Sequence, residues 1–183
     1  TGTLTLNKMK VVQTDEYLGK VKIDEKISLL ECAIALNHDV KQTADNTLLG
    51  DPAEMALVEH IIKLHELKEL GRIQKKFPRL CELPFDSDRK CMTTVHRFNN
   101  SFLVVSKGAV ESVESSLSAD NPREDILLKA QAMATNGIRV IAYAYKILPT
   151  LPEPFTYEIV EKDLQYAGMA GMIDPPREEV KSA

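Results

Sequence analysis

At 183 residues, with 44% hydrophobic positions and a formal net charge of −4, the chain is long enough for one well-buried core. It carries no concentrated basic face of the kind nucleic-acid phosphates need, so no nucleic-acid partner is expected. Its longest apolar runs, such as Val140 to Tyr145, fall far short of the roughly 20 residues that a membrane-spanning helix requires. Three cysteines, Cys32, Cys81 and Cys91, form no CxxC pair, and the four histidines, His38, His60, His65 and His96, show no ligand spacing with them. Neither a disulfide framework nor a metal cluster is expected, and the cysteine usage fits a reducing compartment.

The chain opens on "TGTLTLNKMK", which reads as a strand. In "EKISLLECAIALNHD", Ile27, Leu30 and Ile34 adjoin Leu29, Ala33 and Leu36 on neighbouring helical faces, predicting a broad apolar helix that ends near Asn37. "GDPAEMALVEHIIKLHEL" predicts a second helix with Asp51 as N-cap, Pro52 at the first helical position and Glu54 reaching back to the cap backbone. Leu57, Ile61 and Leu64 with Val58 and Ile62 form its expected buried face. The runs "RLCELPF", "CMTTVHRF" and "SFLVVSKG" read as strands. "REDILLKAQAMATNG" follows as a helix carrying Ile126, Leu127, Ala130 and Met133, and Asn136-Gly137 gives it a left-handed stop. "RVIAYAYKI" is a strand, "LPTLPEPF" a rigid loop, and "QYAGMAGMID" a last strand. Because strands cluster in runs, the expected class is α+β: an antiparallel sheet backed by helices on one side, in one domain.

One strand pair points toward chemistry. If Asn99-Asn100 forms a two-residue hairpin turn, paired residue numbers sum to 199, which sets Met92 opposite Lys107. Alternation then places Lys90 on the face of Met92, with Gly108 closing the edge and Phe85 just upstream. Two ammoniums, a thioether and an aromatic ring at one end of a sheet suit an adenine and phosphate site. Solvated strand-end lysines and a core phenylalanine fit the same residues. The chain has no GxxxxGK[ST] loop, GxGxxG turn or GxSxG elbow. Asp86 and Asp88 in "FDSDRK" stand beside Arg89 and Lys90, and read as a charged turn rather than an acid/base couple.

Six segments, in order, resemble the P-type ATPases. "TGTLT" looks like the tail of their Asp-Lys-Thr-Gly-Thr-Leu-Thr signature, "GDPAE" like Gly-Asp-Pro-Thr-Glu, and "FDSDRKCM" like Phe-Ser-x-x-Arg-Lys-x-Met. "SKGAVE" resembles their Lys-Gly-Ala motif, "NGIRVIAYA" their Gly-Leu-Arg strand, and "GMIDPPREEV" their Asp-Pro-Pro-Arg hinge. The likeness spans residues 1 to 180. It implies the nucleotide-binding domain, an antiparallel sheet with helices around it, inserted between two halves of a phosphorylation domain. Residues 1–8 would be a remnant strand and hinge, 9–170 the nucleotide-binding domain, and 171–183 a second hinge holding Asp174, Pro175, Pro176 and Arg177. The reactive aspartate would lie two residues before Thr1, so this segment is expected to bind ATP and not to hydrolyse it.

The resemblance also implies roles. Phe85 would stack on adenine, Lys107 would form the pocket floor, Lys90 would reach the phosphates, and Gly108 would keep the backbone close to the ligand. Glu54 would accept from the adenine amino group, Arg139 would bridge to phosphate or ribose, and Met92 would line the pocket. Thr1 would join the Mg²⁺ and phosphate site only in the intact pump. Ala53 and Val110 depart from the family's usual Thr and Pro. ATP and ADP, and the phosphorylation and actuator domains of the same pump, are the implied partners, on the cytoplasmic side of a membrane. No histidine here precedes proline, unlike the heavy-metal pumps, and "FDSDRKCMTTVH" most resembles prokaryotic calcium-transporting members. Two other readings are a free-standing phosphohydrolase of the haloacid-dehalogenase type and an interaction domain without nucleotide.

Overall fold

The computed structural model describes residues 8–17 and 21–174. Six strands form one antiparallel sheet: β1 (Lys10–Glu16), β4 (Arg79–Asp86), β5 (Cys91–Phe98), β6 (Ser101–Gly108), β7 (Arg139–Leu148) and β8 (Gln165–Ile173), in the spatial order β1-β8-β7-β6-β5-β4. A small separate pair, β2 (Lys41–Gln42) and β3 (Leu48–Leu49), precedes the second helix. The class is α+β, as the residue patterns predict. The opening "TGTLTLN" and the hinge residues Pro175, Pro176 and Arg177 lie outside the described residues, whereas Asp174 follows β8 and is exposed.

Helices cover both faces of the sheet, as the family resemblance implies and unlike the one-sided backing read from the strand pattern. On one face α1 (Leu29–Leu36), α2 (Pro52–His65) and α3 (Leu67–Lys76) pack Leu30, Ile34, Leu57, Ile61 and Ile73 onto Leu103, Val105, Tyr143 and Tyr145. On the other, α4 (Val110–Ser115) and α5 (Arg123–Thr135) pack Val113, Ile126 and Met133 onto Ala142, Ala144, Tyr166 and Met169. The period-2 alternation of β7 sends its tyrosines to one core and its alanines to the other. A short α6 (Tyr157–Val160) closes a third cluster of Val95, Val104 and Val160. No helix among the described residues is long and apolar enough to cross a membrane.

Local chemistry explains where the helices begin and end. Residues 25–28 precede α1 rather than opening it: the Ser28 hydroxyl accepts from Glu31 N, and the Glu31 carboxylate accepts from Ser28 N, a reciprocal cap. Asp51 caps α2 by accepting from Ala53 N and Glu54 N. That helix stops at His65 because Glu66 takes a left-handed φ of 75° and a new helix starts at Leu67. Leu64 consequently faces outward at 52% exposure, contrary to the expected buried face, and Leu127 on α5 is likewise exposed. Ala53 and Ala56 take the buried positions instead.

Candidate functional site

The hairpin register matches the sequence arithmetic. Cys91 pairs with Gly108, Met92 with Lys107, and so on to Phe98 with Ser101, with Asn99 at a φ of 53° in the turn. β7 continues the sheet and sets Tyr143 beside Lys107. The start of β7, the ends of β4 and β6, and the first turn of α2 therefore converge at one end of the sheet. Between them lies a cavity of about 540 Å³, lined by Glu54, Phe85, Lys90, Met92, Lys107, Gly108 and Arg139 among others. All seven residues singled out in the sequence meet there, although they come from four separate stretches of chain.

Their environments differ in ways that matter. Phe85 is 65% exposed, so its ring belongs to the cavity rim and not to the core. Lys90, at the other end of the β4–β5 turn, is exposed and sits at a φ of 57°. Met92 is buried and contributes an apolar wall. Arg139 is exposed at the opposite side, with its guanidinium 3.8 Å from Met9 Sδ. The cavity thus has a ring and an ammonium on one rim, a guanidinium on the other, and a mixed floor.

Lys107 makes that floor and is only 9% exposed. Its ammonium donates to the backbone carbonyl of Asn37 at 2.9 Å and to the Glu54 carboxylate. Burial pushes the Lys107 pKa below its ordinary value, while the Glu54 charge opposes that shift. Glu54 does not close a capping box on its own helix. Its second oxygen instead accepts from Asp39 N at 3.2 Å, so the carboxylate is turned toward the cavity by partners from outside α2. Asn37, fully buried at the end of α1, donates its amide to Met92 O and Val105 O at 3.1 and 2.9 Å and so ties that helix to the floor strands.

Gly108 is required for a reason the residue pattern did not disclose. A methyl group there would run into the Lys90 carbonyl oxygen and come within 2.7 Å of Cys91 Cβ. The glycine lets the Lys90 turn fold against the end of β6, where Ala109 N donates to Lys90 O at 3.1 Å. Ala53 lines the cavity too, and so do Asp39, Asp51, Leu57, Val140 and Ile141, which were not anticipated there. Val140 and Ile141 were within reach of the strand pattern beside Arg139. Asp39 lies in a non-periodic loop, and only the tertiary fold brings it to the rim.

Comparison with known proteins agrees with this architecture. The profile described as P-type ATPase, cytoplasmic domain N matches residues 25–179. The chain belongs to that family. It is 33% identical over 203 residues to a calcium-transporting ATPase of Bacillus cereus, covering 100% of this chain and 22% of that protein. A calcium-transporting ATPase of Listeria monocytogenes is 35% identical over 202 residues, covering 98% of this chain and 22% of its own length. A cation-transporting ATPase of Synechocystis is 35% identical over 148 residues, covering 76% of this chain and 16% of its own. This N-domain chain therefore spans about a fifth of the length of the relatives it matches.

Proposed function

We propose that this chain binds ATP and ADP in the cavity at the end of the sheet, as the nucleotide-binding unit of a cation-transporting P-type ATPase. The observation that carries the reading is the convergence of an exposed ring, three cations and a half-buried carboxylate on one cavity of about 540 Å³. Phe85 supplies a π-face for the base, and Glu54 supplies an acceptor for an exocyclic amino group. Lys90 and Arg139 stand on the rims, where a polyphosphate leaving the cavity would meet them. Lys107 balances the Glu54 charge at the floor. In the whole pump this unit would present the γ-phosphate to an aspartate of the adjoining domain, where catalysis is mostly positioning and charge neutralisation. The cytoplasmic face of a membrane follows from that role, and the calcium-transporting relatives favour calcium as the cargo.

Among the described residues, the carboxylates that line the cavity do not form a site for Mg²⁺. Asp39, Asp51 and Glu54 line the cavity, yet each is engaged: Asp39 pairs with Arg79, Asp51 caps α2, and Glu54 holds Lys107. Among the described residues no group of three His, Cys, Asp or Glu side chains is placed to hold a metal ion. An NMR titration of the chain with ATP tests the reading. Shifts centred on Phe85, Lys90, Lys107 and Arg139 are expected, with a Kd on the order of 0.1–10 mM, about 3–5 kcal/mol, nearly unaltered by Mg²⁺. No shift at these residues with millimolar ATP would overturn it, and a large Mg²⁺ enhancement would reveal a metal site on this chain.

A further inference from the structure

Glu161 lies outside the cavity, in the segment joining α6 to β8, and its side chain is only 5% exposed. A carboxylate so deeply placed requires partners. It accepts from Arg89 Nε at 2.9 Å, from Arg89 Nη2 at 3.2 Å, from Cys91 Sγ at 3.5 Å and from the Thr93 hydroxyl. Arg89, Cys91 and Thr93 alternate with Lys90 and Met92, which line the cavity. Glu161 therefore grips the start of β5 from the face opposite the one that meets the cavity.

Arg89 carries this grip into the turn. The same Nη2 lies 3.2 Å from Pro84 O and 3.4 Å from Cys91 O, the carbonyls just before Phe85 and just after Lys90. Its guanidinium also stands 3.9 Å from the Asp86 carboxylate and lies over the Tyr157 ring. The Phe85–Lys90 turn is thus wrapped around one guanidinium, and that guanidinium is fixed from behind by one carboxylate. Backbone bonds from Lys90 N to Asp86 O at 2.6 Å and from Ala109 N to Lys90 O at 3.1 Å help hold Lys90 in its left-handed conformation, and Arg89 is the side chain that anchors both ends of the turn beside the exposed Phe85 ring.

We propose that Glu161 is a positioning residue which, through Arg89, fixes the Phe85–Lys90 turn so that ring and ammonium both face the cavity. Its consequence for nucleotide binding rests on the ATP reading above. A buried ion pair adds little stability over well-packed apolar residues of similar volume, so its removal can be separated from unfolding. The test compares the parent chain with the double variant Arg89→Met/Glu161→Met and with Glu161→Gln alone. Amide hydrogen exchange is read without ligand at Asp88, Arg89 and Lys90, whose N–H groups bond to Asp86. ATP affinity is read by NMR titration, and folding by urea unfolding.

The expected result is a double variant with a near-parental unfolding midpoint, exchange in the turn faster by about tenfold, and ATP binding weaker by about fivefold or more. If the double variant does not fold, Glu161→Gln keeps the volume and decides, with smaller changes in the same direction. Unchanged exchange in the turn overturns the proposal, and so does faster exchange with parental affinity. Equal ATP binding by parent and variant overturns this proposal alone. Absence of ATP binding by the parent overturns the nucleotide reading and this one with it.

Discussion

Phe85 leaves 65% of its surface to solvent, and that exposure separates two roles one ring could have played. A core phenylalanine truncated to alanine costs about 3–5 kcal/mol of stability through the cavity left behind. An exposed ring that stacks on a base costs little stability and about 1–3 kcal/mol of binding instead. Phe85→Ala should therefore melt close to the parent chain while binding ATP about tenfold more weakly. Differential scanning calorimetry and an ATP titration of this one variant check both halves. A large loss of stability with parental affinity would remove the stacking role. Lys107 stands at the other extreme: its ammonium is held by Asn37 O and Glu54, so this cation is a built part of the floor and not a mobile surface charge.

At the scale of elements, the β5–β6 hairpin and the Lys90 turn depend on one small residue. Because a methyl at Gly108 would collide with the Lys90 carbonyl and with Cys91, Gly108→Ala must push the turn away from the end of β6. We expect a loss of about 1–3 kcal/mol in urea unfolding, the usual cost of overpacking a closed site. Parental stability in this variant would mean the turn yields freely. The hairpin register was legible from the sequence because two adjacent asparagines fix the turn and the alternation does the rest. The α2 start was legible for a similar reason, since Asp51 and Pro52 sit together. The break at Glu66 was not: no glycine or proline marks it, and α3 reads as a polar tail of α2 with Gly71 inside. Ser28 and Glu31 did carry a capping signal, which the longer apolar run starting at Ile27 obscured. Glu161 lies 72 residues from Arg89, and no local pattern announces such a pair.

For the molecule as a whole, two buried imidazoles set an acid limit. His96 Nδ1 donates to Phe77 O at 3.0 Å, which leaves Nε2 to accept from the Thr94 hydroxyl at 2.7 Å, so the ring is neutral. Burial pushes its pKa down to about 4, although the bond to Phe77 O works the other way. His38 accepts from Val40 N at Nδ1 and is pushed down to about 4 by burial first and then by the Lys107 charge. An unfolded histidine titrates near 6.5, so between about pH 6.5 and 4 the unfolded chain binds protons that the folded chain refuses. Stability is therefore complete above that window and falls as pH drops through it. Asp24, held well below the usual carboxylate range by Arg72 and Lys76, keeps its contribution until the solution is more acidic still, so the loss at pH 5 belongs to the histidines. Each should contribute roughly 2 kcal/mol of destabilisation at pH 5 relative to pH 7.5. Urea midpoints at the two pH values measure the total, and His96→Gln should remove roughly 2 kcal/mol of the difference, while His38 and His60, whose pKa burial also lowers, supply the rest. A midpoint that does not move between pH 7.5 and 5 would mean that both rings can be protonated in place. The sheet face beneath Lys107 would then be wetter than the packing around His38 and His96 implies.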